Sequence, residues 1–526
     1  MTQVRAWTLG LLLFAAARPA GAQVASTVPP SSAIYRRIEA VSAFFPVPVH
    51  LGLRPASRRA LMGMVEKLQL AVDGAASDHP RRRWASQELA SLRDELAADT
   101  AARVGAAWRL DVYAANAPPT RIDSNGLGVL DAVEGTFARD RRGTSSPRGV
   151  AANVFPTIAT WGSRFALLAE PEAGFTADSG SARGELRIHR AYGRAVFRNV
   201  ALQAGSDHRM WGQSVHGALF ISEHAAPMPA LSFGTDTAIT LPWLFRYAGA
   251  VQGTLFVADL GPTQVPDRAR LAGWQVNIHP WSRFELGVAV LAHTGGSGGP
   301  KATFFERVVD LFPAIDALAP QHADLQFSNK IAGGNLRLRF PELSGLDVYY
   351  ELAIDDFDGR RLVSSMVDDA GHLLGARIAA GPAVLRGEWH RTSLRLYEHA
   401  QFRSGLTYRQ RLIGSPLGPH ARAGYVSAEF PAWQGLTTTL TLADERRDPS
   451  QYTVTVSGER DRGFQFIRLT DDPDIRRTFL VGTVDGAVGK LGLRMQSGFS
   501  RSWRDGAARN EWLSRVELRS QGLPLF

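Results

Sequence analysis

From Gly105 to the carboxy-terminus one pattern recurs: short runs of alternating apolar and polar residues, separated by Gly, Pro, Asn and Asp. A period of two puts successive side chains on opposite faces of a β-strand. Candidate strands fall at 108–114, 129–138, 186–192, 194–204, 250–259, 273–279, 283–293, 335–340, 346–354, 384–390, 423–430, 435–443, 478–484, 490–499 and 511–520. With weaker runs allowed for, their number is about 16 to 20. The connections are sorted by length. Short ones at 192–194, 279–282, 341–345, 381–383, 431–435 and 485–487 alternate with long ones at 206–240, 294–326, 355–372, 391–420, 444–477 and 501–510. Barrels of the bacterial outer membrane have this asymmetry, with tight turns toward the periplasm and long loops outside. A soluble sandwich or propeller has no reason to sort its loops by side.

Both ends of the chain agree with that reading. Trp512, Ser514, Val516, Leu518 and Ser520 alternate with Glu511, Leu513, Arg515, Glu517 and Arg519, and the chain stops at Phe526. This resembles the closing strand of outer-membrane barrels, where the terminal aromatic serves as an assembly signal. If the short turns are periplasmic, this strand runs inward and closes against the first strand near Trp108. At the other end come Arg5, an apolar run from Trp7 to Ala17, and Ala20-Gly21-Ala22 before Gln23. These are the three parts of a secretory signal peptide, so residues 1–22 are expected to be removed. No later segment supplies the roughly 20 apolar residues of a spanning helix.

Residues 23–104 form a separate region. A Ser/Pro-rich leader at 24–48 precedes two helical patterns. Leu61, Met64, Val65, Leu68, Ala71 and Val72 share one face after the start signals Pro55 and Ser57, and Gly74 stops the run. Pro80 opens the second, with Ala85, Leu89, Leu92 and Leu96. A short connection makes this an antiparallel hairpin on the periplasmic side, either a cap on the barrel rim or a docking module for a periplasmic partner. The barrel is expected to occupy 105–526. Within the long loop 294–326, Phe304, Phe305, Val308, Val309 and Phe312 recur at helical spacing before Pro313. Folding into the barrel mouth as a plug would bury that face.

Composition narrows the partners. The chain has no cysteine, which excludes disulfides and thiolate chemistry. The formal charge is +9, about +7 once Arg5 and Arg18 are removed, and the only lysines are Lys67, Lys301, Lys330 and Lys490. Arginine forks carboxylates and phosphates and stacks on rings. For an exported chain this suits acidic polysaccharide or the phosphates of lipopolysaccharide, and not nucleic acid. An arginine-preferring genome would produce the same bias.

Three blocks carry a family resemblance. Gly205-Ser206-Asp207-His208-Arg209-Met210-Trp211-Gly212, then Gly217-Ala218-Leu219 and Ser222-Glu223-His224-Ala225-Ala226-Pro227, form the first. The second runs from Ser328-Asn329 through Asn335 to Arg339, with Tyr350-Glu351 and Asp355-Asp356. Tyr397-Glu398-His399, Tyr408 and Pro416-Leu417-Gly418-Pro419 form the third. In this order they resemble the Wzi-type capsule assembly outer-membrane proteins. That resemblance implies a mainly β fold: a periplasmic helical region and a transmembrane antiparallel barrel of about 18 strands, occluded by its outer loops. It also implies a surface lectin that holds capsular polysaccharide. Gln213-Ser214 stands where the family usually has Pro-Gly, and His224 where Asn is usual.

No constellation argues for catalysis. Asp355-Asp356-x-Asp358-Gly359 lacks the glutamate of a calcium loop and reads as a solvated tip. Glu388 and His390 face one side of a strand, and with Tyr397 and His399 they suit a polar barrel interior. Ser214-Val215-His216 lies in a Gly-rich loop without a nucleophile elbow. No catalytic residue, cofactor or metal site is therefore expected. Glycan recognition needs aromatic faces and forked donors, and the long loops offer Arg209, Trp211, Tyr397, His399, Arg403, Tyr408 and Arg409. For Trp211 and Tyr397, a place in the membrane-interface girdle is the alternative. The sequence thus points to a surface glycan-binding protein. The alternatives are a porin-like channel for small solutes or sugars and, less favoured, an outer-membrane lipid hydrolase.

Overall fold

The computed structural model describes residues 25–97 and 103–520, apart from 118–119, 123–132, 135–147, 179, 313–326, 356–365, 367–368, 433–434, 448–450, 456–462, 468–474, 490 and 505–506. Residues 1–22, expected from the sequence to be a signal peptide, the terminal Phe526, most of the run at 129–138 and the acidic tip at 356–359 lie outside these residues.

Eighteen antiparallel strands close into one barrel. They begin with β1 (Arg103–Ala115), β2 (Gly149–Trp161), β3 (Phe165–Asp178), β4 (Ser181–Phe197), β5 (Val200–Asp207) and β6 (Met228–Thr235). Next come β7 (Ala250–Asp259), β8 (Arg270–Trp281), β9 (Phe284–Thr294), β10 (Ser328–Phe340), β11 (Leu346–Asp355) and β12 (Ala370–Ala380). The last are β13 (Ala383–Arg391), β14 (Ala421–Pro431), β15 (Thr437–Arg447), β16 (Ile475–Val488), β17 (Leu491–Arg504) and β18 (Ala507–Ser520). The closing strand pairs with the first from Leu513↔Ala115 to Arg519↔Arg109. At that seam the Trp108 N–H donates to Ser520 Oγ at 3.1 Å.

Several strand boundaries differ from the sequence expectation. There is no turn at 192–194, because β4 continues through it to a turn at Arg198 and Asn199. The turn expected at 485–487 lies inside β16, and most of 501–510 is strand. Strands β2, β3 and β6 carry Pro156, Pro171 and Pro229 among many Ala and Gly, which blurs the alternation. A register shift at Glu170/Pro171 accommodates one of these prolines.

The period of two then sorts the side chains. Val426, Leu442, Leu480 and Phe499 are exposed on the outer face, whereas Gln275, Asn277, Glu285, Arg337, Asp347, Glu351 and Glu388 are buried in the lumen. A polar interior of this kind binds water or other polar groups, and here it binds the chain itself.

Three helices, not two, precede the barrel: α1 (Ala33–Phe44), α2 (Arg58–Asp73) and α3 (Arg82–Ala97). Helix α1 falls in the stretch read as a leader. Its Ser32 cap and its buried face of Ile34, Tyr35, Ile38 and Val41 are helical signals masked by flanking Ser and Pro. The three helices share one core with Leu61, Val65, Leu68, Leu89 and Leu92.

Helix α1 sits over the inner mouth. Its Glu39 accepts from Arg337 Nη1 at 2.7 Å and from Arg386 Nη2 at 2.5 Å. Beyond it the chain rises into the lumen. Leu51 N and Gly52 N donate to Glu285 at 3.4 and 3.1 Å. His50 is buried edge-on to His279, with ring centroids 4.6 Å apart. The chain then returns to α2.

The loop helix α4 (Phe304–Asp310) exists, capped by a Thr303–Glu306 box, but it does not occupy the lumen. Leu311 packs on Ala272 and Ala292, and Phe312 stacks on Trp274 at 5.8 Å. Those three strand residues alternate with lumen-facing Gln275 and His293, so the helix lies against the outside of the barrel. Phe304 and Phe305 stay exposed.

Candidate functional site

Other segments fill the lumen. The long segment between β5 and β6, residues 208–227, folds inward and is almost wholly buried. Two carboxylates on the barrel wall hold it. Glu351 accepts three backbone N–H groups, from Gln213 at 2.5 Å, Ser214 at 2.9 Å and Leu219 at 2.9 Å. Glu388 accepts from Ser214 Oγ at 2.6 Å and Val215 N at 3.0 Å. A charged acceptor inside a barrel needs such donors, because an unpaired buried carboxylate costs far more than a lost neutral hydrogen bond. Gly212 makes the approach possible. Its φ is +141°, and a Cβ there would lie 2.6 Å from Glu351 Oε1.

The loop between β13 and β14, residues 392–420, folds over the first. Tyr397 OH donates to Leu219 O at 2.7 Å and accepts from Ser415 N at 2.9 Å. Its backbone N–H donates to Asp355 Oδ2 at 2.6 Å. Burial pushes the Tyr397 phenol above its ordinary range, so it remains a donor. From below, Leu53 and Arg54 pair with Trp211 and Met210. Trp211 N donates to Ile221 O at 2.9 Å, and Ser222 N donates to Ile413 O at 2.8 Å. A backbone seam therefore crosses the lumen from the amino-terminal segment through the first loop to the second. The three sequence blocks singled out above meet in this plug.

The two positions that depart from the usual Pro-Gly both bond to the wall. Gln213 donates to Asn335 Oδ1 and accepts from Arg337 Nε, both at 2.9 Å, and Ser214 bonds to Glu388. His390 Nε2 lies 2.9 Å from the same Glu388 oxygen as Ser214. Here the carboxylate stands between hydroxyl and imidazole. A nucleophilic serine instead needs direct contact with its base.

The structure separates the seven candidate glycan residues. Arg209, Trp211 and Tyr397 are inside. Arg209 donates to Ser232 Oγ at 2.8 Å and lies 5.3 Å from the Phe256 ring centroid. Trp211 meets the same ring edge-on at 5.1 Å, and is neither a girdle residue nor exposed. His399, Arg403, Tyr408 and Arg409 lie on the outer lid. Arg403 and Arg409 are exposed, His399 is half-buried, and the Arg409 guanidinium sits 5.4 Å from the Tyr408 ring. Tyr408 itself is buried in the same core as Trp211 and Tyr397, held in a tight pairing of Thr407–Tyr408 with Arg411–Leu412. Glu351 and Glu39 were missed as organising residues, whereas Glu388 lies with His390 in the polar interior as expected and additionally anchors the plug. Glu351 stood in a recognised block, but its partners lie more than 130 positions away.

A cavity of about 280 Å³ remains between the plug and the wall, lined among others by Arg36, His216, Tyr425, Thr441 and Arg494. Among the described residues no helix is long and apolar enough to cross a membrane.

The family model described as capsule assembly protein Wzi matches residues 132–469. No curated protein matches the chain. One similar solved structure is Wzi, described as an outer membrane protein involved in group 1 capsule assembly in Escherichia coli and as a carbohydrate binding β-barrel. It is 13% identical, with 95% of this chain and 100% of that one covered and a TM-score of 0.65. Pseudomonas aeruginosa OccD3 (OpdP) is 8% identical over 80% of this chain and 92% of its own, with a TM-score of 0.45.

Proposed function

The chain belongs to the Wzi capsule assembly family, and we propose that it binds polysaccharide at the cell surface and holds capsular or related exopolysaccharide there. It is an outer-membrane barrel with its long loops outside. One observation carries the reading: the lumen is closed by the meeting of the amino-terminal segment with two inward-folded loops, beneath a lid that exposes Arg403 and Arg409. A closed barrel has its outer face to offer. The forked guanidinium donors of Arg403 and Arg409 suit an acidic sugar. The role we propose is binding without catalysis: Glu388 stands between Ser214 and His390, and its bonds hold the plug.

Two measurements in parallel test this. Purified barrel in a planar bilayer should give no steady large conductance, and in pull-down it should retain capsular or acidic exopolysaccharide. Steady openings without glycan retention would return the molecule to the porin-like reading.

A further inference from the structure

The outer face of the barrel carries a feature that glycan binding does not use. Arg391 on β13 is in register with Arg422 on β14. Arg422 is in register with Arg446 on β15, and Arg446 with Arg476 on β16. The row ends at Trp503 on β17. The sequence neighbours His390, Ala423, Glu445 and Arg477 are directed inward: His390 and Ala423 are buried, and Glu445 pairs with Arg477 at 2.7 Å and Tyr425 at 2.8 Å. The four arginines therefore point outward.

Four residues further in on the same face, Val426, Leu442, Leu480 and Phe499 are in register with one another and exposed. That is about 13 Å along the strand. The row thus tops the apolar belt on the extracellular side, at the depth where long basic side chains reach lipid headgroups.

Like charges directly opposed across strands repel. Asp444 on the same face takes Arg476 at 3.0 Å, while Arg391 and Arg422 are exposed and make no ion pair among the described residues. At another point of the rim such a charge is balanced: Arg270 on β8 is in register with Asp259 on β7. Trp503 closes the row, with the Arg476 and Arg501 guanidinium carbons 5.8 and 5.4 Å from its ring.

We propose that the row Arg391–Arg422–Arg446–Arg476 is a binding site for the phosphate groups of the outer-leaflet lipopolysaccharide, with the acyl chains lying on the apolar rung below it. Side chains opposed across strands start about 5 Å apart at their Cβ atoms, so neighbouring guanidinium groups can reach one phosphate together, and a lipid supplies both the anion and the apolar body that this face presents.

The test uses the full-length barrel purified in mild detergent, with lipid A, its dephosphorylated form and inorganic phosphate as probes. Lipid A should bind. Removing its phosphates, or replacing all four arginines by Gln, should weaken binding about tenfold or more. Free phosphate should not compete at matched concentration. Because the four side chains point away from the lumen, heat-modifiable migration should show the quadruple variant folded. A quadruple lysine variant keeps the charge but loses the fork, and it should fall between the two. Equal binding of phosphorylated and dephosphorylated lipid A by folded wild-type barrel would overturn the proposal. So would a quadruple variant that loses acidic polysaccharide while keeping lipid A.

Discussion

Glu351 shows what one buried carboxylate can organise. It takes three backbone N–H groups of the inward loop, so Glu351→Ala leaves all three without an acceptor. The expected loss is about 3 kcal/mol of loop docking. Hydrogen exchange should show residues 208–227 opening while the strands stay protected. Tyr397→Phe removes two bonds to the same assembly and should cost about half as much. On the lid, Arg403→Ser with Arg409→Ser should lower retention of acidic polysaccharide several-fold and leave thermal unfolding unchanged. This is the scale at which the sequence was hardest to read. Arg209, Trp211 and Tyr397 have the residue types of a sugar site, and type does not report burial. Arg403 and Arg409 share the type of Arg209 and differ only in which side of a loop they occupy.

At the scale of elements, α1 and the segment after it are docked by groups whose charge depends on pH. Burial alone would raise the Glu39 carboxyl, but Arg386, Arg337 and Arg377 hold it well below the ordinary carboxylate range. A depressed acid stabilises docking above its free value near 4.5, and that stabilisation is lost as pH falls through the lower docked value. His50 is lowered from 6.5 to about 3 by burial and by neighbouring His279. It is neutral when docked and takes up a proton when released, so docking weakens by about 1.4 kcal/mol per pH unit between 6.5 and about 3. Proteolysis of residues 25–57 should therefore accelerate on acidification from pH 7 to 4. His50→Phe should flatten the upper part of that profile; an unchanged profile would count against the assignment.

Element type was legible where the alternation was clean, as in β8 to β11 and β13 to β15, and illegible where Ala, Gly and Pro thinned it, as in β2, β3, β6 and β12. For α4 the spacing was right and the packing side was wrong. A helix shows its apolar face in sequence, but which wall receives that face is decided by residues such as Ala272 and Ala292, about 40 and 20 positions before Leu311.

For the molecule as a whole, the sorting of turns gave the orientation, and the inward run of the last strand placed it against the first. Both required only local chemistry and counting. The closed lumen was implied by family resemblance, whereas its construction required contacts between segments hundreds of residues apart. Deleting residues 25–57 should remove only the lower part of the closure. Conductance should stay low until Glu351→Ala is added, and single-channel recording on the two proteins separates these outcomes. The seam formed by Gly52 to Arg54, Met210 to Gly212, Ile221 and Ile413 has a thermodynamic consequence as well. It gives the two sides of the membrane a shared set of hydrogen bonds. Where a ligand that shifts Met210–Trp211 changes the affinity of one that shifts Leu53–Arg54, the second must change the affinity of the first by the same factor.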